Sequence, residues 1–511
     1  MSNLSDLLPA GGGQNNTDFV ADGAIASGKP VILTAAGKAA EVDEASTSVS
    51  DDFLAGSAAG GTEGANNEGA SVAWDSSDSD KYVYAFSDVS DSRKLKAFVA
   101  TVSGTGGSTS ISLSTVVVID SGSDYIQGLA ADPNTAGRFL ISWADGNDSY
   151  HGYMTAITIN GTSLDVGTKA KFTSTVLHSV NRVMQLAADP NVENQFLQVH
   201  RINDANDNCE AIVATISGTG TDATVSYGTA ASFTGTDAAD FPRIAADPNT
   251  SGLFVVAFKD KDNSDYGTAK AITLSGTTIT GTHTEAVFQS ADPIVSSVAV
   301  NPDTAKQCLF FFGGYMTGYA DRQFQGCVGT VSGSNTLSFE SAVGAGTNGQ
   351  SAQGSSIAAT GGGSGKFLAT YKISGQNIIS QNIANISGTT LTWGGVNATI
   401  NGVIEPYETT NGLTVASDPN NLGRCVSGFN CNTPSPFERS FITEVGGTYT
   451  SSNLTATNLL GIAAGAISDT ATGTINTWGS RNEVQSSLTI ASDYYVQTDG
   501  TITTTSTSPA Q

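Results

Sequence analysis

Short apolar runs separated by polar, turn-forming residues fill most of the chain, and the pattern repeats. LAADPN at Leu129 to Asn134 recurs at Leu186 to Asn191, as IAADPN from Ile244, VAVNPD from Val298 and VASDPN from Val415, with looser copies VAWDSS from Val72 and IAATGG from Ile357. The fourth residue of each copy is an anchor: Asp75, Asp132, Asp189, Asp247, Asn301, Thr360 and Asp418, spaced 57, 57, 58, 54, 59 and 58 residues apart. Two residues before every anchor stands alanine, three before it a branched aliphatic, and seven after it Tyr82, Phe139, Phe196, Phe254, Cys308, Phe367 or Cys425. An apolar strand, a turn with Pro after Asp or Asn, and a second apolar strand predict a hairpin.

A second hairpin follows in each copy, in phrases such as AFVATVSGTG, MTAITINGTS and AIVATISGTG, where Ser-Gly or Asn-Gly supplies the positive φ of a tight turn. Its glycine lies 29 residues after the anchor at Gly104, Gly161, Gly218 and Gly276. Seven four-stranded units predict an all-β fold, a seven-bladed β-propeller, in preference to a linear solenoid. The alanines are expected where inner strands converge on the axis, and the neighbouring aliphatics between blades.

The first and third turns of each unit share one face and are monotonous. The second turns and the crossings between blades share the other and vary, which makes that face the candidate for binding. Its residues predict a carbohydrate site from Tyr125, Asp145, Tyr150, Arg201, Asp237, Phe241, Tyr266, Tyr315 and Tyr319, whose rings and polar groups suit sugars. Asp260, Asp262 and Asp265 place three carboxylates in one loop and are a calcium candidate, although D-x-[DN]-x-[DN]-G is nowhere complete and solvated turn formers give the same pattern.

Composition narrows the function. With 22 Lys+Arg against 47 Asp+Glu, a formal charge of -25 argues against a nucleic-acid partner. Only 14% of residues are charged and 58 are glycine, a profile of strands and turns. No apolar window reaches the length of a bilayer span, so no membrane insertion is expected, and Met1 to Gln14 lacks the basic and apolar regions of a cleaved export signal. Five cysteines without a CxxC pair support neither zinc nor a disulfide framework; Cys308 and Cys425, at the position that is elsewhere aromatic, are expected in the core. His151, His178, His200 and His283 fall at unrelated offsets, and no GxSxG, HExxH or P-loop string occurs. No catalytic residue and no resident cofactor is predicted, and the chain is expected not to be an enzyme. A sialidase-like glycosidase, with Arg182, Arg201, Arg243 and Arg322 near the variable face, is the enzymatic alternative, and it lacks the S-x-D-x-G-x-T-W box.

The units divide the chain into an N-terminal arm (1–20), a short β segment (21–65), the propeller (66–450) and a C-terminal β module (451–511) with an Asp499-Gly500 hairpin turn; the flanks are placed to pair with each other. The opening LPAGGGQNNTDFVADGAIASGKPVIL, the phrases TVSGT and NSDYGTA, and the closing SLTIASDYYVQTDGTI resemble structural proteins of tailed bacteriophages, particularly marine and cyanobacterial phages. The resemblance covers nearly the whole chain and implies a virion surface protein assembled in the host cytoplasm: a tail fibre or appendage, homo-oligomeric, held by other virion proteins and displaying the propeller to a host glycan or receptor. The alternative is a head or tail decoration without a receptor.

Overall fold

The structure, a computed structural model, describes residues 15–504 apart from 35, 50–58, 61–66, 79, 89–90, 105–108, 123, 178–183, 205, 236, 292, 315–322, 346–351, 362–364, 374–377, 395–397, 402–412, 432–436, 446, 455–456, 478–483, 487, 490–491 and 498. The chain divides into two compact units, residues 49–447 and residues 1–48 with 448–511.

The larger unit is a seven-bladed propeller. Blade two is typical. Strands Asp124–Ala131, Arg138–Asp145 and His151–Asn160 run antiparallel outward, and the outermost strand is broken into Ser163–Val166 and Ala170–Lys171, both paired to the third. Blades one and three to six have the same plan. The innermost strand of each blade touches that of the next, and Leu413–Ser417 of blade seven touches Asn67–Trp74 of blade one, so the ring closes. Blade seven takes three strands from 413–444 and its fourth, Ala59–Gly60, from ahead of blade one, with Gly60 opposite Arg439. That pairing ties the two ends of the ring together.

Every sheet is buried on both faces, and the core consists of layers between blades. Leu186 of blade three packs in one layer with Ala130 of blade two, Ile244 with Ala187, Val298 with Ala245 and Ile357 with Ala299. Both repeat positions therefore sit at the blade contact. The alanine is small because its neighbour's aliphatic occupies that space, and Ala73, Ala358 and Ala416 also line the cavity on the axis.

Hydrogen bonds from the repeated turn fasten each blade to the next. The buried Asp189 carboxylate accepts Asn191 N–H of its own turn at 2.9 Å and Gly252 N–H of the following blade at 2.8 Å. Asp75 accepts in the same way from Gly137, and Asp247 from Lys306. The φ values of +66° at Gly137 and +70° at Gly252 fit turns whose N–H groups face the preceding blade. The turn asparagines reach forward as well: Asn191 donates to the Asp247 carbonyl at 3.3 Å, and Asn420 of blade seven to the Asp75 carbonyl of blade one at 3.1 Å. Six residues after the anchor, Gln195 and Gln307 each donate at 2.7 Å to the hairpin glycine carbonyl of the following blade, Gly276 and Gly388. The motif that reads as turn chemistry is also the joint between blades. Cys209, Cys308, Cys327 and Cys425 are buried free thiols.

The second unit is a five-stranded sheet built from both flanks, in the order Asn16–Val20, Thr472–Asn476, Leu459–Ala463, Pro30–Leu33, Ala39–Glu41. Val31, Ala39, Ala463, Ile467 and Ile475 form its core. Asn16–Val20, which the sequence leaves in a coreless arm, is an edge strand here. The Asp499-Gly500 turn joins Tyr495–Val496 to Ile502–Thr503, and the Asp499 carboxylate accepts Thr501 N–H at 2.9 Å.

Asp189→Ala removes the acceptor of two main-chain donors at a buried joint and is expected to cost about 3 kcal/mol, whereas Asp189→Asn, which keeps one oxygen, costs less. Urea midpoints of the two variants check the order. Ala187→Phe, forced against Ile244, is expected to lower stability by about 1–3 kcal/mol in the same measurement.

Candidate functional site

The second turns and the interblade crossings are hydrogen-bonded to each other. Leu177 N–H donates to the Tyr150 carbonyl at 3.0 Å, Asn203 to Val176 at 2.8 Å and Lys261 to Ala238 at 2.9 Å. The two groups of variable segments thus form one face, which in blades two to four carries networks of charge.

In blade two, Asp145 caps the turn Gly146–Asp148, accepting Asn147 N–H at 2.8 Å, and Ser149 and Tyr150 follow with φ of +55° and +61°. These left-handed residues bring the chain round into the strand that opens at His151. Lys169, in the break of the outer strand, pairs with Asp145 at 2.6 Å and with Asp120 of blade one, and lies 4.3 Å from the Tyr153 ring centre. Asp120 also accepts from the buried Trp143 indole at 3.0 Å. Next to it, Lys171 and the Tyr153 hydroxyl both bond to Asp148, at 2.8 and 2.6 Å. The Lys171 bond, and after it the Tyr153 bond, pull the Asp148 carboxyl down to about 2, and the hydrogen bond to Asp148 pushes the Tyr153 phenol up to about 12.

In blade three the buried Arg201 bridges Asp207 of its own turn, at 2.5 Å, and Asp240 of blade four, with Lys261 3.9 Å from Asp240. Arg201 is thus a clamp between blades. Blade four places Asp237 exposed on the crossing and Phe241 half-buried with a φ of +56°, where the strand register shifts between Asp240 and Arg243. A left-handed aromatic residue at such a bulge holds about 1–3 kcal/mol of strain. Tyr266, half-buried, opens the third strand.

The three aspartates of the calcium candidate have separate partners. Asp260 is buried and accepts Asn263 N–H at 3.1 Å, Asp262 accepts Ala238 N–H at 3.0 Å, and Asp265 pairs with Lys259 at 3.2 Å. Burial, with Glu285 and Asp237 nearby, raises the Asp260 pKa. Among the described residues no group of three His, Cys, Asp or Glu is placed to hold a metal ion.

Of the other expected site residues, Tyr125 lies in the innermost strand of blade two opposite Ala144, with its side chain outside the described residues. Tyr315, Tyr319, Arg182 and Arg322 also lie outside them. Arg243 is not on the loop face; it lines an axial cavity whose rim is made by the first turns. The structure brings Asp145 to Lys169 and Arg201 to Asp240. Sequence reasoning missed Lys169, Asp120, Trp143 and Tyr153, because the break that carries Lys169 has no counterpart at a fixed offset in the repeat.

No family model matches the chain, and no curated protein is similar to it. In fold it is similar to Sqt1 from Chaetomium thermophilum, solved bound to the N-terminus of ribosomal protein L10 (11% identity, 75% of this chain and 86% of that one, TM-score 0.41). It is similar also to the α-L-arabinanase of Penicillium chrysogenum complexed with arabinobiose (13%, 62% and 92%, TM-score 0.39) and to the sialidase of Trypanosoma rangeli (12%, 85% and 58%, TM-score 0.35). The expectation that the chain is not an enzyme is corrected here. Two of these three structures are of an arabinanase and a sialidase, and a fold of itself does not exclude catalysis.

Arg201→Met leaves Asp207 and Asp240 with the more distant Lys261, 4.0 and 3.9 Å away, between them and is expected to destabilise the propeller by about 2–4 kcal/mol, read from urea midpoints. Because the Asp148 pKa lies below its unfolded value of 3.8, its pairing is fully present above pH 4 and is lost as the pH falls through about 2. A side-chain carboxyl NMR titration is expected to place Asp148 near the lower value, and Lys171→Ala to move it back up.

Proposed function

We propose that the protein is a carbohydrate-recognising propeller carried on the surface of a tailed-phage particle as a tail fibre or other appendage, with the face of second turns and crossings toward the host. The observation that supports this reading is the different use of the two faces. On one, the repeated Asp, Asn and Gln side chains are committed to bonds between blades. On the other, Tyr150, Tyr266 and Asp237 reach the surface on loops held in place by the Lys169 and Arg201 ion pairs. Aromatic faces beside carboxylates and amides are what a sugar ring needs: stacking on one side, hydroxyl partners at the edge. Such contacts are individually weak, and many copies on one particle multiply them. The resemblance of its sequence phrases to phage structural proteins is what suggests the particle; the propeller is what suggests the recognition. A second reading is glycoside hydrolysis by the same face, favoured by the acids gathered there, Asp207 and Asp240 among them.

One experiment addresses both. The full chain is applied to an array of bacterial surface glycans, and bound glycans are then incubated with it in solution. Binding that falls at least tenfold in Tyr150→Ala/Tyr266→Ala is the expected result. Retention of binding in that variant would refute the face assignment, and release of new reducing ends would establish turnover.

A further inference from the structure

The residue four before each anchor stands at the inner edge of a joint. In four blades its side-chain oxygen accepts the N–H of the residue three before the next anchor: Gln185 from Ile244 at 2.7 Å, Ser297 from Ile357 at 3.2 Å, Ser356 from Val415 at 3.0 Å, and Thr414 from Val72 at 3.2 Å. Blade two has Gly128 at this position, so it offers no side-chain oxygen to the matching amide of blade three, Leu186 N–H. The anchor of blade two differs as well. Its carboxylate, Asp132, bonds Arg138 of its own blade at 2.5 Å, where Asp189 and Asp247 accept from the following blade.

Behind Gly128 the joint is polar. Strand alternation turns the residue ten after one anchor and the residue nine after the next toward each other, and at two joints both can hydrogen-bond: Ser142 with Gln198, and Thr370 with Ser427. Between blades six and seven the protein completes the set itself. Thr370 and Ser427 lie 3.1 Å apart, Gln381 donates to both at 3.2 and 3.0 Å, and Thr443 donates to the Gln381 side-chain oxygen at 2.8 Å. Between blades two and three, Ser142 Oγ and Gln198 Oε1 belong to fully buried side chains and have no partner among the described residues. Leu186 is the register partner of Gln198. A Cβ built on Gly128 would stand 2.9 Å from Ser142 Oγ and 3.2 Å from Leu186 N, so hydroxyl and amide flank the place where other blades put an oxygen. Gly128 and Leu186 also border the cavity on the axis.

We propose that ordered water occupies this place and fastens blade two to blade three. The water accepts the Leu186 N–H, as Ser297 or Ser356 does for the amide at its own joint, donates to Gln198 Oε1 and shares a hydrogen bond with Ser142 Oγ. Three partners are the usual complement of a buried water. In a dry joint the same amide, hydroxyl and carbonyl would each bear the full cost of lost hydration, whereas a bridging water is nearly as favourable as a direct bond. The missing side chain of Gly128 leaves the room, and the axial cavity is the route of entry.

A high-resolution crystal structure of the full chain tests the proposal directly. The expected result is a water peak within hydrogen-bond distance of Leu186 N, Ser142 Oγ and Gln198 Oε1. No peak there, or a direct bond between Ser142 Oγ and Gln198 Oε1 in its place, would overturn it. Urea midpoints give an independent reading. Ser142→Ala takes a partner from the water and is expected to lower the midpoint; in a dry joint it removes an orphaned hydroxyl, so an unchanged or raised midpoint would also overturn the proposal. Adding Gly128→Ser to Ser142→Ala puts a hydroxyl where Ser297 and Ser356 carry theirs, with the atom nearest the new Cβ gone. The double variant is expected to recover the midpoint of the parent chain and to lose the water peak, and a peak that persists unmoved would count against the assignment.

Discussion

A ring of sheets that are apolar on both faces is fully satisfied only when closed, because an unmatched blade leaves a core layer in water. The joint between consecutive blades is therefore the interaction on which the rest depends. Here it has two components. Aliphatic-on-alanine packing excludes water from the contact, and the anchor carboxylate fixes its register by accepting a main-chain N–H from across it. Packing alone would tolerate sliding of one sheet over another; a charged acceptor aimed at one amide does not.

This arrangement changes what the net charge means. Several of the 47 acidic side chains are the anchors themselves, buried at the joints, where Asp75, Asp189 and Asp247 accept main-chain amides and Asp132 pairs with Arg138. Others sit in ion pairs of the loop face, Asp145 and Asp120 with Lys169, Asp207 and Asp240 with Arg201. The basic residues are few, and two of them tie neighbouring blades together, Lys169 joining one to two and Arg201 joining three to four.

The fold was legible because the same physical demand recurs in every blade: a small residue, an aliphatic and a turn acid at fixed offsets. What the offsets meant was less legible. Asp189 and Asn191 read as turn formers, and only the neighbouring blade in space reveals them as fasteners. Ala59–Gly60 carries no apolar signal, since its contribution is two main-chain pairings, and Asn16–Val20 becomes a strand only through residues 472–476 at the far end of the chain. The site was least legible for a related reason. Groups that set one blade apart are by nature departures from the repeat, and Lys169 can be seen as one only once its ion pairs with Asp120 and Asp145 are known.

The fourth strand of blade seven sets a clock on synthesis. Gly60 leaves the ribosome nearly four hundred residues before its partner Arg439. At ordinary elongation rates the segment waits roughly 20 to 80 s with its backbone groups unpaired. During that time blades one to six can assemble as an open arc, and another chain's final blade is as good a partner as its own. Crowded translation on one message would thus favour exchanged rings, and the two-residue length of the strand limits how firmly a wrong pairing holds before the right one arrives.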